Sequence, residues 1–345
     1  MTCFQPEFQP KESWRAHMKS VKKISIFAVM GFCLSLLGPV GAQGDYPDRE
    51  VTMYCSSSAG GTTDLNARYL SEAISKILGQ PIVVVNKPGA AHTICANFVA
   101  NAKPDGYSIG CIAGSAFIEV PSLRKVPYDV VKDFAYLATC SEYTMGLTVR
   151  ADAPWKTLEE FLDYAKKNPG KIIYGSDGHG VGPHILMEYV AYKKGGIGWK
   201  HVPYSGGARN APALLGGHTH AWAAAGTQVQ FIKDGNMRML VCFNDTRQKY
   251  APDVPTLKEL GYIDVPTGIP IVFVGPKGLP DPIQKKLETA YLKAMRDPAY
   301  AQFLEKLNMP PSILGAKETA KDIEEKLKIW KELVRLAGIK EKEEN

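Results

Sequence analysis

Short runs of β-branched and aromatic residues alternate along the chain with stretches of helical periodicity. Val51–Cys55, Ile82–Val85, Tyr107–Ala113, Met145–Val149, Lys171–Tyr174, Arg238–Phe243 and Ile271–Val274 read as buried strands. Leu70, Ala73, Ile74 and Ile77 follow the i, i+3, i+4, i+7 rule, and Gly79 is placed to stop that helix. Leu158, Phe161, Leu162 and Ala165 repeat the pattern behind a capping box, Thr157 with Glu160, and end at Asn168-Pro169-Gly170. Near the C-terminus Ile323, Leu327, Trp330, Val334 and Ala337 stripe a charged helix. Strands separated by helices predict parallel sheets covered on both faces.

The strand–helix units cluster at about 50–140 and 145–245, which predicts two α/β lobes. A last apolar strand and two C-terminal helices remain. Returning them to the first lobe makes two crossings between lobes, so the expected division is 43–143 with 269–345 for lobe 1 and 144–268 for lobe 2, joined by a hinge. The chain carries no internal repeat and no low-complexity tract.

The N-terminus has another character. Lys19, Lys22 and Lys23 precede an apolar run from Ile24 to Leu37, and Val40-Gly41-Ala42 offers small residues for a signal peptidase. The run is shorter than the roughly 20 residues a spanning helix needs. Residues 1–42 therefore read as an N-terminal extension and signal peptide, with Met18 the expected initiator and Gln43 near the mature start. Export to the periplasm follows. Phe32 before Cys33 is too bulky for a lipoprotein site.

With 345 residues, 45% hydrophobic and 22% charged, there is room for two ordinary cores. The formal charge of +6 falls to +3 once residues 1–42 are removed, too weak for a nucleic-acid surface. Five cysteines remain, Cys55, Cys95, Cys111, Cys140 and Cys242, an odd and scattered set without C-x-x-C. They read as small core residues, and one disulfide is possible among them.

The candidate chemistry lies in Gly-rich strand-to-helix turns. Ser56-Ser57-Ser58-Ala59-Gly60-Gly61-Thr62-Thr63-Asp64 is the first and Gly175-Ser176-Asp177-Gly178-His179-Gly180-Val181-Gly182, before Pro183, the second. Glycines let backbone approach a ligand, and the N–H groups of a helix start favour an anion. Ser57 and the other hydroxyls add neutral donors. A third turn, Val202–Arg209, brings Tyr204 and Gly206, and Gly226-Thr227-Gln228 offers Thr227 at another helix start. No P-loop, G-x-G-x-x-G or H-E-x-x-H occurs, so nucleotides and dinucleotides lack support. Gly106-Tyr107-Ser108-Ile109-Gly110 matches G-x-S-x-G by letter, but it runs into the Tyr107–Ala113 strand rather than forming a strand-to-helix elbow, so serine-hydrolase chemistry lacks support too. The expected anion is small, with no cofactor and no metal. His179 reads as a pocket donor; a metal-assisted hydrolase using His179 and His184 is the rival.

Taken together, these segments resemble the Bug/TctC family, the extracytoplasmic solute receptors of tripartite tricarboxylate transporters. The resemblance spans roughly 46–339. It rests on Tyr46-Pro47, Ala59-Gly60-Gly61 with Asp64 and Ala67-Arg68, Asn86-Lys87-Pro88-Gly89-Ala90, Pro104-Asp105-Gly106-Tyr107 and Val126-Pro127-Tyr128-Asp129. Further pieces are Val202-Pro203-Tyr204-Ser205-Gly206, Leu215-Gly216-Gly217 and the Ala251–Leu257 run ending at Glu259 and Gly261.

The resemblance implies a type II periplasmic-binding-protein fold, two α/β lobes joined by a hinge with a ligand cleft between them. It also implies that two βα turns grip a carboxylate, partly through ordered water. Carried over to this chain, the gripping residues are Gly60, Gly61, Thr62 and Asp64, then Ser176, Gly178 and His184, then Tyr204 and Gly206, with Ser115 after the Tyr107 strand. The implied partners are a small carboxylate and integral-membrane transporter subunits, with a membrane sensor kinase as the alternative and the receptor itself a monomer. The sequence departs from the family where Ala59 replaces a usual proline. It departs again where Ala90-Ala91-His92 follows Asn86-Lys87-Pro88-Gly89 in place of the usual Ala-Gly-Gly. His179 and Ser205 are further changes that alter cleft polarity.

Overall fold

A computed structural model describes residues 46–204 and 207–339. Of the segment up to Asp48 it describes 46–48, with a cis Tyr46–Pro47 peptide bond. The expected signal peptide and Met18 start lie outside the described residues. No helix among the described residues is long and apolar enough to cross a membrane.

From Arg49 onward the chain builds two sheets. The first comprises β1 (Val51–Cys55), β2 (Ile82–Asn86), β3 (Ser108–Ala113), β4 (Phe134–Glu142), β10 (Pro270–Pro276) and β11 (Pro311–Leu314), in the order β11-β4-β10-β3-β1-β2. The second comprises β5 (Met145–Arg150), β6 (Ile173–Ser176), β7 (Lys200–Pro203), β8 (Ala221–Ala225) and β9 (Met237–Cys242), in the order β7-β6-β8-β5-β9. The chain passes between sheets twice, at 143–144 and at 243–269.

The purely parallel sheets expected from the βα alternation are corrected to mixed ones. β1 runs parallel to β2 and β3, and β6 to β7 and β8. β10 is antiparallel to β3 and β4, and β5 to β8 and β9. Parallel order is imposed by crossover helices within a sheet. β5 and β10 each arrive from the other sheet, so no such crossover constrains them.

The helices follow the sequence pattern. α1 (Thr62–Leu78) buries Leu70 and Ile74 and ends where Gly79 turns left-handed, at φ +77°. Ile77 is at its exposed margin. α2 (Thr93–Ala100) and α3 (Glu119–Leu123) follow, then α4 (Leu158–Lys167). Thr157 Oγ1 caps α4 by accepting from the Glu160 N–H at 3.2 Å. The return arm of the expected box goes elsewhere: Glu160 Oε2 accepts from the Lys156 N–H at 2.6 Å. α5 (Gly182–Lys193), α6 (Gly207–Leu215), α7 (Val229–Lys233), α8 (Asp281–Met295) and α9 (Pro298–Lys306) lead to the final helix, α10 (Ala316–Ala337).

α10 ties the parts together. Its stripe of Ile323, Leu327, Trp330 and Val334 is buried, packed against α3, α5 and β4. From the same helix the buried Lys326 reaches Glu142 Oε1 at 2.8 Å and Asp322 Oδ2 at 3.1 Å, at the end of β4 where the chain first crosses. The main core is one continuous cluster that draws on both sheets and α10. All five described cysteines are buried and free, and burial pushes the Cys55 and Cys242 thiols up to about 11.

Candidate functional site

A cavity of about 720 Å³ opens where the turn after β1 and the turn after β6 face each other. That volume falls within the usual range for small-molecule sites. Ser57, Thr62 and Thr63 line it from the first turn and α1; Asp177, His179, Gly180, Val181 and Pro183 line it from the second turn and α5. Neither N-cap residue, Gly61 of α1 or Val181 of α5, caps its helix with its own side chain. Ser115, from the 3₁₀ turn after β3, and Thr227, after β8, add hydroxyls. Ala113, Val120, Leu123, Met145, Ala225 and Ile269 supply the apolar wall.

The first turn is braced from behind. Asp64 is 1% exposed and is not among the lining residues. Its Oδ2 accepts from the Gly60 N–H and Arg68 Nε, both at 2.9 Å, and its Oδ1 accepts from Asn86 Nδ2 at 2.7 Å. Asn86 Nδ2 also donates to the Ser57 carbonyl at 2.8 Å, which fixes the loop that presents the Ser57 side chain. Burial raises the Asp64 carboxyl, but Arg68, Asn86 and the Gly60 N–H outweigh it and hold the group below the usual carboxylate range. Gly60 and Gly61 shape this turn without lining the cavity themselves.

The second turn is framed by histidines. Ser176 is buried, its Oγ donating to the Gly178 carbonyl and lying 2.6 Å from His201 Nε2. The His184 ring stacks on His201 with centroids 3.8 Å apart, and the His179 centroid is 5.0 Å from that of His184. His184 Nδ1 accepts the Gly180 N–H at 2.9 Å. Burial, with His201 and His179 nearby, pushes His184 down to about 3, so it is neutral and serves as an acceptor for the turn. Of the second-turn candidates only His179 reaches the cavity; Ser176, Gly178 and His184 stand behind it. Tyr204 is half-buried with its ring against Gly175, and is likewise not among the lining residues. Gly206 lies outside the described residues.

Backbone at this turn comes close to the first sheet's side. A Cβ on Gly180 would lie 2.3 Å from Leu123 Cδ1, and one on Gly182 would lie 2.2 Å from Glu119 Oε1. A side chain at either position would have to displace Leu123 or Glu119.

Several lining residues carry no motif. Asp177 accepts from Asn210 Nδ2 (2.9 Å), Trp222 Nε1 (3.0 Å) and the Ala225 N–H (3.2 Å). Burial outweighs these bonds and raises its carboxyl. Glu119 and Arg124 come from α3 and its end, and Tyr143 from the first crossing, where its hydroxyl meets Thr63 Oγ1. His92 Nδ1 lies 2.9 Å from the Ser56 carbonyl, in a turn where Ala90, Ala91 and His92 all have positive φ. Ala91 and His92 are positions at which the sequence departs from its resemblance. Among the described residues no group of three or more His, Cys, Asp or Glu is placed to hold a metal ion. The arrangement offers hydroxyls, two helix starts and one guanidinium, a donor set suited to an anion.

Known proteins agree in fold and family. The family model described as tripartite tricarboxylate transporter family receptor, TctC, matches residues 66–339. A Cupriavidus necator protein, the UPF0065 protein in the gbd 5′ region, is 38% identical over 302 residues, covering 87% of this chain and 91% of its own. The periplasmic binding protein BugD superposes with a TM-score of 0.72 at 31% identity, over 86% of this chain and 100% of that one. MatC from Rhodopseudomonas palustris, solved with bound malate, gives 0.69 at 27% identity, over 84% and 100%. The two-lobe type II fold of these binding proteins is thus the fold of this chain.

Proposed function

This chain belongs to the TctC family of periplasmic solute-binding receptors, and on that premise we propose that it captures a small carboxylate and delivers it to integral-membrane transporter subunits. The observation that carries this reading is geometric. Turns from two different sheets, each with a helix start behind it, face one cavity of small-molecule size. An anion held by both turns contacts both lobes, so it favours the closed arrangement that a permease can recognise. The malate bound by MatC supports a carboxylate as the ligand class.

In this reading Ser57, Thr62, Ser115, His179 and Thr227 contact the solute or its bridging waters. Gly60, Gly61 and Asp64 hold the first turn in shape, and Ser176, Gly178 and His184 hold the second. Tyr204 backs the site. Lobe 1 comprises 43–143 with 269–345, and lobe 2 comprises 144–268. The protein binds without transforming its ligand, uses no cofactor or metal, and works as a monomer exported by a cleaved signal peptide. Two or three charge-assisted hydrogen bonds of about 1.5–3 kcal/mol each suffice for micromolar affinity once ordering costs are met.

A thermal-shift screen on protein refolded to strip bound ligand tests this. Malate, succinate, citrate, glutamate and benzoate form the panel. A true ligand at a hundred times its Kd adds about 2.7 kcal/mol, or roughly 5 °C in Tm. No shift with any acid overturns the proposal, and stoichiometric metal with chelator-sensitive hydrolysis would favour the enzyme instead.

A further inference from the structure

Glu119 is an unexpected lining residue for a cavity that takes anions. It opens α3 and is 6% exposed. The absent Cβ of Gly182 lets its carboxyl reach the start of α5, where the Gly182 N–H is its backbone donor. No lysine, arginine or histidine lies within ion-pair distance of it among the described residues, although Arg124 lines the same cavity.

The charged and titratable groups on the elements packed around it are otherwise engaged. Asp177, ahead of α5, is held by three donors. His184, in the first turn of α5, is neutral and bonded to the Gly180 N–H, and His179 stands beside it. Lys326 of α10 is committed to Glu142 and Asp322. Desolvation therefore dominates, and burial pushes the Glu119 carboxyl up to about 8 against the single lowering effect of the Gly182 N–H. At neutral pH the group is an acid with a proton to donate.

We propose that Glu119, as a neutral carboxylic acid, donates a hydrogen bond to the carboxylate of the captured solute, and so selects anions over cationic or amine-bearing analogues of the same size. An O–H to carboxylate bond is short and charge-assisted, whereas an ionised Glu119 would repel the ligand. The inference rests on the carboxylate-receptor reading and gives it a sign. Below about pH 8 the proton is already in place; above it the proton comes from water, with hydroxide left to the bulk. The competent fraction falls about tenfold between pH 7 and 9, and apparent affinity falls with it.

Titration calorimetry with malate and the rest of the panel, from pH 6 to 9 and in two buffers of different ionisation enthalpy, tests this. The expected result is about tenfold weaker binding at pH 9 than at pH 7, with proton uptake that grows over that interval. Glu119→Gln is expected to flatten the pH profile, and Glu119→Met, which has no donor, to weaken binding at pH 7 at least tenfold. A ligand-free readout stands beside these: the infrared spectrum of the wild-type protein at pH 7 should contain a protonated carboxyl band that titrates near pH 8. Its absence overturns the inference even if neither variant folds. Affinity that is flat with pH, or that rises towards pH 9 as it would for an ammonium on ionised Glu119, overturns the inference and leaves the receptor reading standing. Failure of every acid to bind at any pH overturns both.

Discussion

Replacing Asp64 by Asn tests whether the first turn is braced as the hydrogen bonds indicate. The carboxylate accepts from three donors: Gly60 N–H and Arg68 Nε on one oxygen, Asn86 Nδ2 on the other. An asparagine keeps one acceptor and must turn its NH₂ towards one of these sets. Facing Asn86 is the cheaper choice, yet two amides then meet donor to donor. Asn86 cannot flip to relieve this without surrendering its bond to the Ser57 carbonyl (2.8 Å) and the one it accepts from Arg68 (2.9 Å). One charge-assisted bond is lost, about 1.5–3 kcal/mol, and the half-exposed Arg68 pair adds under about 1 kcal/mol. We expect Asp64→Asn to lower stability by about 2–3 kcal/mol at pH 7 in urea unfolding, and to weaken carboxylate binding because Ser57 and Thr62 lose their support. The sign with pH is fixed. The folded-state pKa lies below the unfolded value, so the ionised group's contribution is complete above that unfolded value and is lost as pH falls through the folded one. The gap between wild type and variant must shrink towards pH 2. A gap under about 0.5 kcal/mol at pH 7, or one that persists undiminished in acid, refutes the bracing argument.

Ala91 has φ +50° and ψ +48°, a left-handed conformation that costs an L-residue about 1–2 kcal/mol, so Ala91→Gly should stabilise by roughly 0.5–1 kcal/mol after the entropy of glycine is counted; the denaturation midpoint reads it directly. His184 has its folded pKa pushed to about 3, below the value of an unfolded histidine, so it contributes stability above pH 6.5 that drains away as pH falls. Between pH 6.5 and 5 the wild-type protein should lose about 1.6 kcal/mol more than His184→Gln, measured by chemical unfolding across that interval. Lys326→Met strands the Glu142 carboxylate at the crossing and should cost about 3–5 kcal/mol, while adding Glu142→Leu should recover much of that loss; equal losses in the single and double variants would argue against a coupled pair.

What the sequence disclosed depended on whether a residue's role was local. β1, β3, β5 and β10 carry β-branched or aromatic runs and were legible as strands. β8 was not, because Ala221-Trp222-Ala223-Ala224-Ala225 has helix-forming composition; it is a strand because it lies between β6 and β5, where its small side chains are buried. β4 ends at a crossing that no turn signal marks, which hid both it and Tyr143. At the candidate site, Ser57, Thr62 and His179 of the Gly-rich turns face the cavity. The most conspicuous members of those motifs face away from it, and there is a physical reason. A carboxylate such as Asp64 that holds three donors in place has most of its acceptor capacity used and would repel an anionic ligand, so the group that makes a turn recognisable is suited to stand behind it. Glu119 and Arg124 reach the cavity from a five-residue helix that no motif announces, and their importance comes from burial and neighbours rather than from spacing. Selectivity in such a receptor is therefore expected to reside in residues of this second kind, set on a frame built by the first.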